Sequence, residues 1–175
     1  PQEILKEIQN YFNQLNKYKK FKALVTAGPT YEYIDPVRFI TNKSSGKQGF
    51  ALAKSLAKKG FETTLISGPT NLKIDKNINL IEVETADEMF KATQNNLPTD
   101  VAIFSAAVAD FKIKEQKNEK IKKQEYMNLN LEKNVDILNY ISNHNSLRPK
   151  LVIGFAAETN NIQENAKKKL IEKNC

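Results

Sequence analysis

The residues best suited to chemistry lie in a few short stretches. Ser44-Ser-Gly-Lys-Gln-Gly49 stands where a helical pattern begins, and the free N–H groups of a helix start, with Ser hydroxyls beside them, can cradle a phosphate. The order is not that of a Walker loop. The full G-x-G-x-x-G of dinucleotide folds is also absent, which leaves only a Gly-x-x-Gly pair. A second reading is open, in which Ser44 caps the helix and Gly49 lets it pack closely on a sheet. Asp35-Pro-Val-Arg38 and Asn42 precede this helix, in a connection longer than the roughly 2 to 6 residues usual between a strand and a helix. An Arg and an Asn beside such a helix start suit capture of a carboxylate or phosphate. Alternatively, Asp35-Pro36 makes a turn and Arg38 pairs with a surface carboxylate.

Lys112 to Lys123 carries six Lys against two Glu and few apolar residues, which reads either as a mobile basic lid or as a solvated charged loop. Lys169 and Lys173 are four apart and share one helix face, facing either an anion or solvent. His144 and Cys175 have no visible catalytic partner and read as structural.

These residues need a scaffold, and the hydrophobic pattern supplies one. Short apolar runs at 23–26, 62–67, 78–83, 101–105 and 151–155 read as strands, with a further one at 128–131. Helical spacing appears from Gly46 to Gly60 and over about 86–96, 135–143 and 161–173. Such alternation predicts an α/β fold with a mostly parallel open sheet flanked by helices. In that architecture ligands sit beyond the carboxyl ends of strands. Small residues follow several strands there, at Gly28-Pro-Thr30, Ser67-Gly-Pro69, Ser105-Ala-Ala107 and Gly154-Phe-Ala-Ala-Glu158. They permit close approach of a ligand to the backbone, and equally suit tight exits with no ligand. Residues 1–20, with Ile4, Ile8, Phe12 and Leu15 at helical spacing, read as a lead-in helix or linker, and residues 21–175 as one domain.

Composition narrows the partners. The net charge of +7 favours an anion. One Cys and one His exclude an internal disulfide framework, a Cys-based zinc site and any catalytic triad not built on His144. No segment approaches the roughly 18 apolar residues of a membrane span, and the first residues lack a signal-peptide apolar block, so a cytoplasmic protein is expected. A nucleic-acid binder would interleave basic residues with exposed aromatics, whereas these Lys sit in one loop and one helix. A non-catalytic nucleotide-binding module of this fold remains the alternative to an enzyme.

Taken together, Thr26-Ala-Gly-Pro-Thr30, Ile34-Asp-Pro-Val-Arg-Phe-Ile-Thr-Asn42, Ser44 to Phe50, Ser105-Ala-Ala-Val-Ala-Asp-Phe111, Glu119 to Lys123, Lys133-Asn134 with Asp136-Ile-Leu138, and Gly154 to Asn161 resemble phosphopantothenoylcysteine synthetase in order and spacing. The resemblance runs from about residue 20 to the end, and the chain resembles the bacterial synthetase domain that follows a flavin-dependent decarboxylase in a bifunctional polypeptide. It implies a Rossmann-like fold and a ligase of coenzyme A biosynthesis. Such a ligase joins 4′-phosphopantothenate to L-cysteine with CTP and Mg²⁺ through an acyl-cytidylate, releasing pyrophosphate and CMP. FMN is implied only where a decarboxylase domain is attached, and a homodimer is implied for this domain.

By the same resemblance, Asn42 handles the acyl intermediate, Lys120 serves its formation and Arg38 handles substrate. Ser45 and Gly46 fall in the binding set. The nucleotide pattern falls on Phe104, Ser105, Ala106, Ala107, Asp110, Lys120, Val135, Asp136, Ile137, Leu138, Phe155, Lys169 and Lys173, with Asp110 reading either the sugar or the metal. Val135 stands where this family often has Pro. The family also continues past Lys173-Asn174 with another strand, so a domain incomplete at its C-terminal end is expected.

Overall fold

The computed structural model describes residues 21–123, 127–157 and 160–175, so the lead-in helix expected within residues 1–20 lies outside it. Strand β1 (Lys22–Ala27) is apolar on both faces and takes the centre of a five-stranded parallel sheet, as expected of a strand covered by helices on both sides. Its neighbours are β4 (Glu62–Ser67) and β6 (Val101–Phe104), and the edges are β5 (Asn79–Glu82) and β9 (Leu151–Gly154). The order is β5-β4-β1-β6-β9, and every pairing is parallel.

Alternation along β1 divides the core in two. Val25 and Ala27 face helix α1 (Lys47–Lys58), which contributes Phe50 and Ala53. Leu24 joins Met89 of α2 (Ala86–Asn95) and Ile137 and Ile141 of α3 (Ile137–Ser142) on the other face. The chain chemistry at the helix ends fits these bounds. Gly60 takes φ 94° just after α1, the left-handed value that favours glycine at a helix stop. Thr85 and Glu88 form a reciprocal capping box at the start of α2, and Asp136 caps α3 through Asn139 N at 3.0 Å. The last helix, α4 (Ile162–Glu172), buries no residue among those described.

The sequence reading differs from the structure in the connections. The stretch between β1 and α1, read only as a long connection, contains an antiparallel hairpin of β2 (Tyr31–Tyr33) and β3 (Phe39–Thr41). Its rings hold it: Tyr31 stacks on Phe39 with centroids 3.9 Å apart. Lys112 belongs not to a free basic loop but to β7 (Phe111–Ile113), which pairs with β8 (Leu131–Lys133), and the strand read at 128–131 is displaced to those residues. The Lys112 ammonium sits 2.8 Å from Asp87 of α2, and this hydrogen bond, followed by the charges of Asp87 and Glu132, raises its pKa. Strands of three residues are too short for period-two alternation to stand out.

The two ends of the sheet do different work. At the amino ends, Asp100 accepts from Lys22 N at 2.9 Å and from Lys150 Nζ at 2.8 Å, tying β1, β6 and the approach to β9 together. Those bonds, the one from Lys150 first, hold its carboxyl below the usual range. At the carboxyl ends the exits of β1 and β6 are stitched to each other: Ala107 N donates to Gly28 O at 2.8 Å and Ala109 N to Thr30 Oγ1 at 3.0 Å.

Candidate functional site

That stitched exit forms the wall of a cleft of about 220 Å³. Phe104, Ala106, Ala107 and Asp110 reach it from the end of β6, and Val135 to Leu138 from the turn into α3. Phe155 enters from the exit of β9, and Lys173 from the end of α4. Four segments far apart in the chain thus converge, and each supplies residues that the sequence singled out. The floor is apolar or small-residue backbone, while the cationic group is Lys173, whose Nζ lies 2.8 Å from Asp136 Oδ2. The partly exposed Phe155 and Val135 give faces on which a planar ring can rest. A flat apolar slot with a lysine at one end suits a base at one end and phosphates at the other.

Other expected residues lie around this cleft rather than in its lining. Ser105 turns away, its hydroxyl donating to Thr26 O at 2.7 Å. Asn42 stands at the rim, with Nδ2 donating to Val108 O at 3.0 Å and more weakly to Ala107 O at 3.4 Å. These bonds join the end of hairpin β2–β3 to the β6 exit. Lys169 is exposed on α4, one turn before Lys173, and does not line the cleft. Glu158 and Thr159 of the last motif lie outside the described residues.

The start of α1 resolves the two readings of Ser44 to Gly49. The N-cap is Gly46, in the left-handed region at φ 71°, with no side-chain cap and no acidic residue in the first turn. Ser44 is not the cap, because its hydroxyl instead accepts from Gly46 N at 3.3 Å. Ser45 is exposed beside it. An uncapped 12-residue helix leaves N–H donors for an anion. Gly49 also performs the packing role, since a Cβ there would stand 2.4 Å from Ala27 Cβ and 2.7 Å from Ser105 Oγ.

Arg38 does not meet a surface carboxylate. Its guanidinium grips Asp35, which is wholly buried, through Nε at 3.0 Å and a second short bond from Nη2. Nη2 also donates to Ile121 O at 2.9 Å. The Arg38 bond, followed by backbone N–H donors, holds the Asp35 carboxyl well below its usual range. Lys120, beside Ile121, is exposed. Sequence reasoning left Asp35 out of the site because its distant partner is a backbone group, invisible in residue types. It also passed over the side chain of Asn134, whose Nδ2 donates to Ala109 O at 2.9 Å while its N–H bonds Asp110 O at 2.9 Å. Among the described residues no group of three or more His, Cys, Asp or Glu could hold a metal ion.

Residues 18–175 match the family described as the DNA/pantothenate metabolism flavoprotein C-terminal domain. The chain is 43% identical to the coenzyme A biosynthesis bifunctional protein CoaBC of Haemophilus influenzae over 176 residues, 99% of this chain and 44% of that protein. It is 45% identical to the CoaBC protein of Borreliella burgdorferi, over 98% of this chain and 45% of that protein. The chain therefore spans less than half the length of these relatives. Among solved structures, the C-terminal domain of a CoaBC protein superposes with a TM-score of 0.77 at 42% identity, covering 91% of this chain and 76% of that one.

Proposed function

The chain belongs to the DNA/pantothenate metabolism flavoprotein C-terminal domain family, and from that premise we propose that it is the phosphopantothenate–cysteine ligase part of a bifunctional coenzyme A biosynthesis enzyme. The observation that carries the reading is the convergence of Phe104–Asp110, Val135–Leu138, Phe155 and Lys173 on one cleft at the carboxyl end of the sheet. CTP is the nucleotide, with cytosine between the Phe155 and Val135 faces and the triphosphate toward Lys173 and, beyond the cleft, Lys169. Mg²⁺ arrives with the triphosphate as part of the substrate. Asp110 at the cleft mouth faces the sugar or that ion. The phosphate of 4′-phosphopantothenate has the uncapped start of α1, with Ser45 and Gly46, as a site of suitable charge.

The carboxylate of 4′-phosphopantothenate attacks the α-phosphorus of CTP. A bond to oxygen forms, the bond to the bridging oxygen breaks, and pyrophosphate leaves with its electron pair. Lys120, from the basic segment, offsets the charge that builds as two anions meet. The cysteine amine then attacks the acyl carbon and CMP departs. Asn42, held at the rim by the Val108 and Ala107 carbonyls, has its amide nitrogen committed and its oxygen left to orient the acyl group or the incoming amine. The enzyme acts as a homodimer in the cytoplasm, and FMN belongs to a decarboxylase part of the intact protein. No described helix is long and apolar enough to cross a membrane.

Two substitutions test the roles. With CTP, Mg²⁺ and 4′-phosphopantothenate, Lys120→Gln is expected to prevent acyl-cytidylate formation, and Asn42→Asp to accumulate it, both read by mass spectrometry. Identical stalling of the two variants, or none, refutes the assignment, and absence of CTP-dependent pyrophosphate release from the intact protein refutes the ligase reading.

A further inference from the structure

Lys120 sits in a stretch with little means of holding itself. From Lys114 to Lys123 every residue except Ile121 is exposed, and Ile121 is only half-buried. A chain so charged and so poor in apolar contacts does not order itself by burial. Its fixed points lie elsewhere, and most converge on one turn of hairpin β2–β3. Lys117 N donates to Ile34 O at 3.0 Å, Ile121 N donates to Asp35 Oδ2 at 3.1 Å, and Ile121 O accepts from Arg38 Nη2 at 2.9 Å. Both backbone groups of Ile121 are therefore gripped by one ion pair, of which Asp35 is wholly buried and Arg38 partly exposed.

Asp35 has enough local donors to satisfy it without this contact. Oδ1 takes Val37 N and Arg38 N, each at 2.9 Å, and Oδ2 takes the Arg38 fork. The bond from Ile121 is the long-range one, spanning 86 residues of sequence. Its N–H belongs to the peptide plane that starts at Lys120, so holding it fixes the direction from which the Lys120 side chain departs. The same hairpin carries Asn42 just past β3, and Asn42 is bonded to the cleft wall.

We infer that Asp35 is a positioning residue: its carboxylate, with Arg38, clamps Ile121 and thereby aims Lys120 at the cleft. Hairpin β2–β3 then serves both half-reactions, setting Lys120 for the first and Asn42 for the second. The inference rests on the ligase reading for what Lys120 does, while the clamp itself is independent of it. Arg38, on this account, acts through the peptide it holds.

The test is a double-mutant cycle in the intact protein, paired with amide hydrogen exchange. Asp35→Asn keeps an acceptor for the local turn but sets an NH₂ group against the Arg38 and Ile121 donors, which opens the clamp. It is expected to slow acyl-cytidylate formation on the order of 100-fold while CTP affinity stays within about twofold. Asp35→Asn combined with Lys120→Gln should be no slower than Lys120→Gln alone, the non-additivity of two residues acting through one group. The Ile121 amide should lose protection in Asp35→Asn. Ile121→Pro removes the same N–H without altering the hairpin and should reproduce the rate loss if Asp35→Asn fails to fold. Additive rate losses, a loss confined to CTP affinity, or an Ile121 amide as protected as in the unaltered protein would overturn the proposal. If the unaltered protein forms no acyl-cytidylate, the ligase reading fails by itself, and exchange at Ile121 alone then decides the clamp.

Discussion

Two clefts open at the carboxyl ends of this one sheet, and they differ in size, in the amount of charge on their walls and in self-sufficiency. The cleft at the β6 and β9 exits holds about 220 Å³, and the one at the β4 and β5 exits about 710 Å³. The larger is walled by Glu82, Glu84 and Glu88, with Tyr31 and the turn Ser67–Asn71 opposite. Its carboxylates are partly committed to the fold: Glu84 accepts from the Tyr33 hydroxyl at 2.7 Å, and Glu88 accepts from Glu84 N at 2.7 Å and, closing the α2 capping box, from Thr85 N at 3.2 Å. The smaller one is lined by Asp110 and Asp136 as well as by Lys173, whose Nζ lies 2.8 Å from Asp136 Oδ2, with small-residue backbone and the exposed Phe155 ring beside them. For an anion such as a triphosphate, three glutamates with no cation among them are more repulsive than two aspartates with a lysine, so charge favours the smaller cleft over the roomier one.

The largest predicted effect falls on the seam between the clefts. A Cβ on Gly68 would stand 1.6 Å from Pro29 O, a backbone atom that cannot swing aside. Gly68→Ala is expected to cost about 3 kcal/mol by overpacking, a fall in melting temperature of roughly 6 to 12 °C in a thermal scan. A melting temperature unchanged within a degree would mean that the two exits are not locked together.

Next comes the contrast in ligand binding. Lys173→Ala should weaken CTP about tenfold through loss of one charge-assisted contact, while Glu84→Gln in the larger cleft should leave CTP within twofold, both measured by calorimetric titration. Equal losses in the two variants would erase the distinction between the clefts.

The smallest effect is spectroscopic. The bond to Glu84, aided by desolvation and by the charges of Glu84 and Glu88, pushes the Tyr33 pKa up to about 12. Because the neutral hydroxyl is the favoured form, this contribution to stability is whole below the ordinary tyrosine pKa of about 10 and is lost as pH rises through about 12. Ultraviolet titration should show one tyrosine ionising late, and Glu84→Gln should return it toward the others. A Tyr33 that titrates with the rest in the unaltered protein would mean that Glu84 is not spent on the wall of its own cleft.

The comparison also marks where the sequence was informative. The parallel strands were readable because their apolar runs lie between Gly, Pro and Ser exits, and the β6 and β9 sides of the small cleft because they follow those exits directly, whereas Val135–Leu138 and Lys173 were placed there only through the family resemblance. The hairpins were not: Tyr31, Phe39 and Phe111 act across three-residue strands, where ring stacking and cross-strand pairing replace periodicity. Asp35 was visible as a turn former but not as a clamp, since its partner is the backbone of Ile121. Likewise Lys169 and Lys173 share spacing and type, yet Lys173 alone lines the cleft.

The central place of β1 has a consequence for how the molecule comes into being. Its Lys22 pairs with Glu62 and its Ala23 with Val101, and Val101 in turn pairs with Leu151. Chain closure grows harder with separation, and synthesis proceeds from the N-terminal side. The β1–α1–β4 unit and its edge strand β5 therefore have their partners first, together with the wide acidic cleft. The narrow cleft waits for β9, Phe155 and Lys173, so it is completed last, and a nascent chain that has not reached those residues has most of a sheet but only one of its two clefts.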